Sequence, residues 1–168
     1  MDDCFHAFKI QSVELEGFIA WFLDYEKEIN WRKHFNFDAI QLPQDFLKVE
    51  PLLAAVHEVH PIKSLGLLKV PAKTMYNWHT DDYRLSCINL LVNKNHNSHT
   101  LFGKQKDLIN KDIIELKYKP KTFYLFNNQV EHCVINLDVD RYLFSLYFED
   151  EIAYPAIKQK LLHLLEDV

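Results

Sequence analysis

The sequence predicts an α+β chain that is mainly β: an antiparallel sandwich or jelly roll with helices packed outside it. Three observations carry that expectation. After Ser64, short segments rich in Val, Ile, Leu, Phe and Tyr follow one another, separated by polar turn residues. Helical periodicity is confined to the N-terminal part and the last stretch. With 3 Gly and 6 Pro in 168 residues, no linker or low-complexity tract divides the chain, so it reads as one domain with a substantial core.

The elements follow in order. From Ser12 to Asn30, Val13, Leu15, Phe18, Ile19, Phe22, Leu23 and Ile29 recur near helical spacing, with Ser12 as N-cap. A second helix is expected from Gln44 to Val59, broken at Pro51 and ended before Pro61. The strands are expected at 65–70, 74–78, 85–92, 100–102, 112–118, 122–126, 132–136 and 142–148. Tyr154 to Glu166 returns to helical period through Ile157, Leu161, Leu162 and Leu165. The plan is therefore a helical N-terminal part (1–63), a β core (64–150) and a C-terminal helix (151–168), all in one domain.

Charge and composition narrow the function. A net charge of −5 disfavours nucleic acid, whose binders usually present a basic face. The N-terminus MDDCFHAFKI has acids where a secretory signal carries positive charge, and no run of about 18 apolar residues exists to span a membrane. Cys4, Cys87 and Cys133 are odd in number and lack CxxC spacing, so they read as reduced thiols of a cytoplasmic protein.

The chemistry lies in Trp78-His79-Thr80-Asp81-Asp82. In an extended chain residues i and i+2 point to one side, so His79 and Asp81 can present an imidazole and a carboxylate to one point. His132 opens a strand far downstream. Two histidines and a carboxylate form the facial triad that holds non-haem Fe(II) and leaves three positions open. Arg141, the only arginine in the second half of the chain, precedes the apolar run Tyr142-Leu143-Phe144. A guanidinium facing into a barrel needs an anion, and a dicarboxylate co-substrate supplies one, with a hydroxyl such as Ser145 alongside.

At this point the sequence resembles the Fe(II)- and 2-oxoglutarate-dependent oxygenases with a double-stranded β-helix core. The resemblance rests on His79-Thr80-Asp81, on His132 with Asn136, and on Arg141 with Ser145, and spans residues 65 to 148. The run Asp81-Asp82-Tyr83-Arg84 with Asn89 is similar to aspartyl/asparaginyl-hydroxylase-like and phage-type members. The resemblance implies iron on His79, Asp81 and His132, 2-oxoglutarate chelating the iron with its far carboxylate on Arg141, and O₂ in the last position. Decarboxylation to succinate would then accompany hydroxylation of a substrate. Asp81 favours hydroxylation over halogenation, because halogenating relatives lack that carboxylate. Ser145 stands four residues past Arg141 rather than at the family's RxS spacing. Tyr76 and Asn89 join Arg141 and Ser145 as candidate co-substrate contacts.

Other residues have plainer readings. Tyr76, Asn89, Thr100, Phe102 and Tyr124 fall on strands that line the barrel, where aromatics are more often core than pocket. Arg84 is either a surface arginine or a second anion site. Asn136 is expected to bond a strand or loop near His132. His57-Glu58-Val59-His60 fails the HExxH zinc spacing by one residue and runs into Pro61. His96 and His99 belong to a polar loop from Asn93 to Ser98. Two function classes stand beside the oxygenase: a cupin-like metal enzyme without 2-oxoglutarate, and a non-catalytic β-barrel binding module. Arg141 separates the first from the oxygenase, and the iron content of the purified protein separates a barrel whose triad is unoccupied. The expected substrate is a small molecule, an amino acid or a peptide side chain; oligomeric state is not readable.

Overall fold

Strand alternation and helical period divide the chain much as expected in the core, and differently at the N-terminus. The computed structural model describes residues 3–24, 28–34, 36–93 and 97–166. The expected strands form β4 (Ile62–Val70), β5 (Thr74–His79), β6 (Ser86–Leu91), β7 (Ser98–Gln105), β8 (Lys111–Leu116), β9 (Thr122–Asn127), β10 (His132–Asn136) and β11 (Arg141–Phe148). Three more strands arise in the part expected to be helical: β1 (Phe5–Gln11), β2 (Arg32–Lys33) and β3 (Asp38–Leu42). That part is thus mixed rather than all helix.

The helices are shorter than the periodicity suggested. The first, α1 (Leu15–Asp24), stops well before Asn30, with residues 25–27 outside the described ones and Ile29 and Asn30 not helical. The second breaks as Pro51 required, into α2 (Phe46–Val49) and α3 (Pro51–Val59), with Pro51 in the first turn, where its missing N–H costs nothing. The last, α4 (Tyr154–Lys160), passes into a 3-10 turn at Leu162–Leu164.

The strands build two antiparallel sheets, one of seven in the order β1-β9-β6-β11-β4-β3-β2 and one of four in the order β5-β10-β7-β8. This is a double-stranded β-helix with helices outside it. One face of the seven-stranded sheet carries Leu65, Leu67, Ile88, Leu90, Phe144 and Leu146 against α1, α3 and α4. Each such side chain contributes about 1.5–3 kcal/mol by leaving water. The other face looks at the smaller sheet. Toward one end that interior is filled by Cys4, Cys87, Phe102, Leu116, Tyr124 and Phe126. Beside this packing it stays open as a cavity of about 90 Å³. Among the described residues, no helix is long and apolar enough to cross a membrane.

Candidate metal centre

His79 closes β5 and His132 opens β10, and the two are direct cross-strand partners. Their pairing holds an irregularity: His132 faces His79, yet Val134 faces Tyr76, so β5 spends three residues where β10 spends two. Such a bulge re-aims a side chain. Simple alternation would put Tyr76 and His79 on opposite faces. With one residue extra, both line the cavity, their rings 4.1 Å apart. The bulged Asn77 carbonyl accepts a hydrogen bond from His79 Nδ1 at 2.7 Å, and the Val130 carbonyl accepts one from His132 Nδ1 at 2.9 Å. Each bond fixes a tautomer with the Nε2 lone pair facing inward.

Asp81 follows on the loop after β5. Its Oδ1 lies 3.6 Å from His79 Nε2 and 3.9 Å from His132 Nε2. The three ligand-type atoms lie within 4.8 Å of one another. Burial drives the His132 imidazole down to about 4, and His79 beside it pushes the same way, so His132 is neutral near neutral pH and free to ligate. The Asp81 segment is held from behind: its N–H donates to the Asn128 carbonyl and its own carbonyl accepts from Gln129 Nε2.

Across the cavity sits Arg141 at the start of β11, buried. Its Nη2 donates to Thr100 Oγ1 at 3.0 Å, its guanidinium lies 5.6 Å from the centre of the Tyr118 ring, and its Nε has no partner. Among the described residues no carboxylate pairs with it. Burial pulls its pKa below the ordinary arginine value, and burial pushes the Tyr118 phenol up to about 12, so this wall offers neutral hydroxyls and one uncompensated cation. That arrangement fits an absent anion.

The remaining expected residues fall as follows. Asn89 on β6 is buried, lines the cavity and accepts from the Cys87 thiol. Ser145 is buried on β11, but its hydroxyl accepts from Arg84, 2.8 Å away; the hydroxyl beside Arg141 is that of Thr100. Arg84 is neither a surface group nor a free anion site, because it pairs with Asp81. Phe102 and Tyr124 belong to the packed end rather than the cavity. Asn136 Nδ2 donates to the carbonyls of Val70, Pro71 and Val139, pinning β10 to the turns around it. His57 and His60 bond the backbone of Ile62 and Asp150, and His99 pairs with Glu115. His96 lies outside the described residues.

Sequence reasoning missed Phe37, Tyr118 and Asn128, all of which line the cavity. Asn128 is buried, with its Nδ2 unpartnered. Its only sequence signal was a place in the turn Asn127-Asn128-Gln129.

No known family profile and no characterised protein matches the sequence. Solved structures match the fold. An oxidoreductase of the 2OG-Fe(II) oxygenase family from Burkholderia pseudomallei is 8% identical, with 81% of this chain and 80% of that one covered at a TM-score of 0.58. A prolyl hydroxylase from Trichoplax adhaerens, in complex with a hypoxia inducible factor peptide fragment, is 11% identical over 87% and 83% of the two chains, TM-score 0.65. HygX from Streptomyces hygroscopicus, with nickel, 2-oxoglutarate and hygromycin B bound, is 10% identical over 86% and 82%, TM-score 0.60. The chain shares the double-stranded β-helix fold of these structures, and its own His79, Asp81 and His132 gather at the cavity.

Proposed function

We propose that this chain is a non-haem Fe(II) dioxygenase that couples oxidative decarboxylation of 2-oxoglutarate to hydroxylation of a peptide side chain, an amino acid or a small metabolite. One observation carries the reading: two imidazoles and a carboxylate converge on one side of a cavity whose other side holds a buried arginine without an anion. A metal enzyme of the cupin kind, or an empty barrel, has no use for Arg141.

His79 Nε2, Asp81 Oδ1 and His132 Nε2 would hold the metal. When bound, ferrous iron and 2-oxoglutarate supply the activation of O₂, with oxidation of the keto acid to succinate and CO₂ balancing insertion of the second oxygen atom into a substrate C–H bond. The chain's own residues bind and orient. Arg141 meets the far carboxylate with a charge-assisted pair, and Thr100 stands beside it. Leu68, Val70, Val134 and Leu143 line the space between, excluding water and strengthening that pair. Tyr76 and Asn89 flank the same space and complete the contacts open to the co-substrate. The three cysteines are free and buried, which suits a reducing compartment, so a cytoplasmic location is proposed.

The test is anaerobic addition of Fe(II), then 2-oxoglutarate, to metal-free protein while the visible spectrum is recorded. A charge-transfer band that needs both additions and is absent in His132→Ala supports the proposal. Iron binding without the band would leave a metal protein that does not use 2-oxoglutarate.

A further inference from the structure

The geometry points to Arg84 as the positioning residue of the metal-binding carboxylate, holding Asp81 to ligation through one oxygen. This rests on the reading of His79, Asp81 and His132 as ligands. A carboxylate beside a divalent cation can bind through one oxygen or through both. Two-oxygen binding would consume one of the three positions that co-substrate and O₂ require. Arg84 removes that option. Its Nε donates to Asp81 Oδ2 at 3.0 Å and its Nη2 pairs with the same oxygen at 3.0 Å, so Oδ2 is occupied by a charge-assisted hydrogen bond and an ion pair from one guanidinium. Oδ1 is the oxygen left facing the imidazoles, 3.6 and 3.9 Å from their Nε2 atoms.

The guanidinium is itself fixed. Its third nitrogen, Nη1, donates to Ser145 Oγ at 2.8 Å, and its plane lies 4.8 Å from the centre of the Tyr147 ring. Its side chain is only 16% exposed. Both supports come from β11 in the seven-stranded sheet, whereas Asp81 follows β5 of the four-stranded one. Arg84 therefore ties the carboxylate loop across the sandwich. A lysine has one nitrogen and cannot hold Oδ2 twice while reaching Ser145.

Cobalt(II) titration of the metal-free protein tests this, read by the visible ligand-field spectrum and by the metal-induced rise in melting temperature. Arg84→Met is expected to weaken cobalt binding by about tenfold to a hundredfold. It should also change the cobalt spectrum, as Oδ2 becomes free to enter the coordination sphere. Arg84→Lys should recover part of the affinity without the wild-type spectrum. Ser145→Ala, which loosens the guanidinium but keeps its charge, should move both readings the same way by less. Wild-type affinity and spectrum in Arg84→Met, with binding abolished in His132→Ala, would overturn the proposal and leave the metal centre standing. Undiminished cobalt binding in His132→Ala would overturn both. Should Arg84→Met not fold, Ser145→Ala decides: an unchanged spectrum and affinity there sinks the assignment.

Discussion

Arg141 is 2% exposed, its Nε is unpartnered, its Nη2 donates to the Thr100 hydroxyl and its guanidinium lies against the Tyr118 ring. Without an anion this is an expensive group to bury, and with one it is the strongest contact the cavity can make. Arg141→Met should therefore act in opposite directions. In the absence of 2-oxoglutarate it should stabilise the protein by about 1 kcal/mol or more, raising the melting temperature by about 2–4 °C. Affinity for 2-oxoglutarate should fall by roughly 2–5 kcal/mol. Thermal melts with and without the keto acid check both; a lowered melting point with unchanged binding would contradict the role given to this arginine. The residue types of the site were legible in the sequence, because HxD spacing and an arginine followed by an apolar run are local signals. The partner of Arg141 was not. Ser145 shares its strand face, but the hydroxyl that reaches it belongs to Thr100 on β7 in the opposite sheet, 41 residues away in sequence.

At the level of elements, α1 shows the same divide. Ser12 was read as its cap, yet Ser12 donates its hydroxyl to Glu50, which is completely buried. The Glu50 carboxylate accepts the N–H groups where the chain enters α1, from Val13 and Glu14 just before it and from Leu15, its first residue, across more than thirty residues of chain. Helix starts leave such donors orphaned, and a negative charge there also meets the positive end of the helix dipole. Glu50→Ala should cost about 3 kcal/mol, since several donors lose a charged acceptor at once, and lower the melting temperature by about 10 °C while leaving the cobalt spectrum unchanged. A loss under about 1 kcal/mol in chemical denaturation would show that water replaces the carboxylate. No local pattern announces a cap supplied from the break between two other helices. Strand β1 was hidden for a related reason: Phe8 is buried among helices while Phe5 faces the other core, so the strand serves two interiors and lacks clean alternation. The bulge in β5 is likewise invisible without its partner strand.

Across the whole molecule, the eight core strands were readable because turn residues punctuate apolar runs, and the sandwich follows once they pair. The way a substrate reaches the site is a property of the assembled sheets. A groove of about 510 Å³ crosses β2, β3, β4 and β11, floored by Gly66 and rimmed by Arg32, His34, Gln41 and Tyr147. It shares Phe37 and Leu68 with the cavity, which favours a substrate longer than the cavity alone could hold. Short peptides, free amino acids and oligonucleotides should therefore be compared for stimulated succinate formation, with peptides expected to lead. Stimulation by methylated oligonucleotides alone would refute the substrate class. The pairing of β5 with β10 also limits how such a chain can change over generations. A residue gained or lost in either strand would turn one imidazole to the far side of its sheet and abolish the site in a single step. The β7–β8 hairpin carries no such burden at its tip, where Leu108 is 98% exposed. Length variation among descendants of this gene should collect there and spare the five residues of β10.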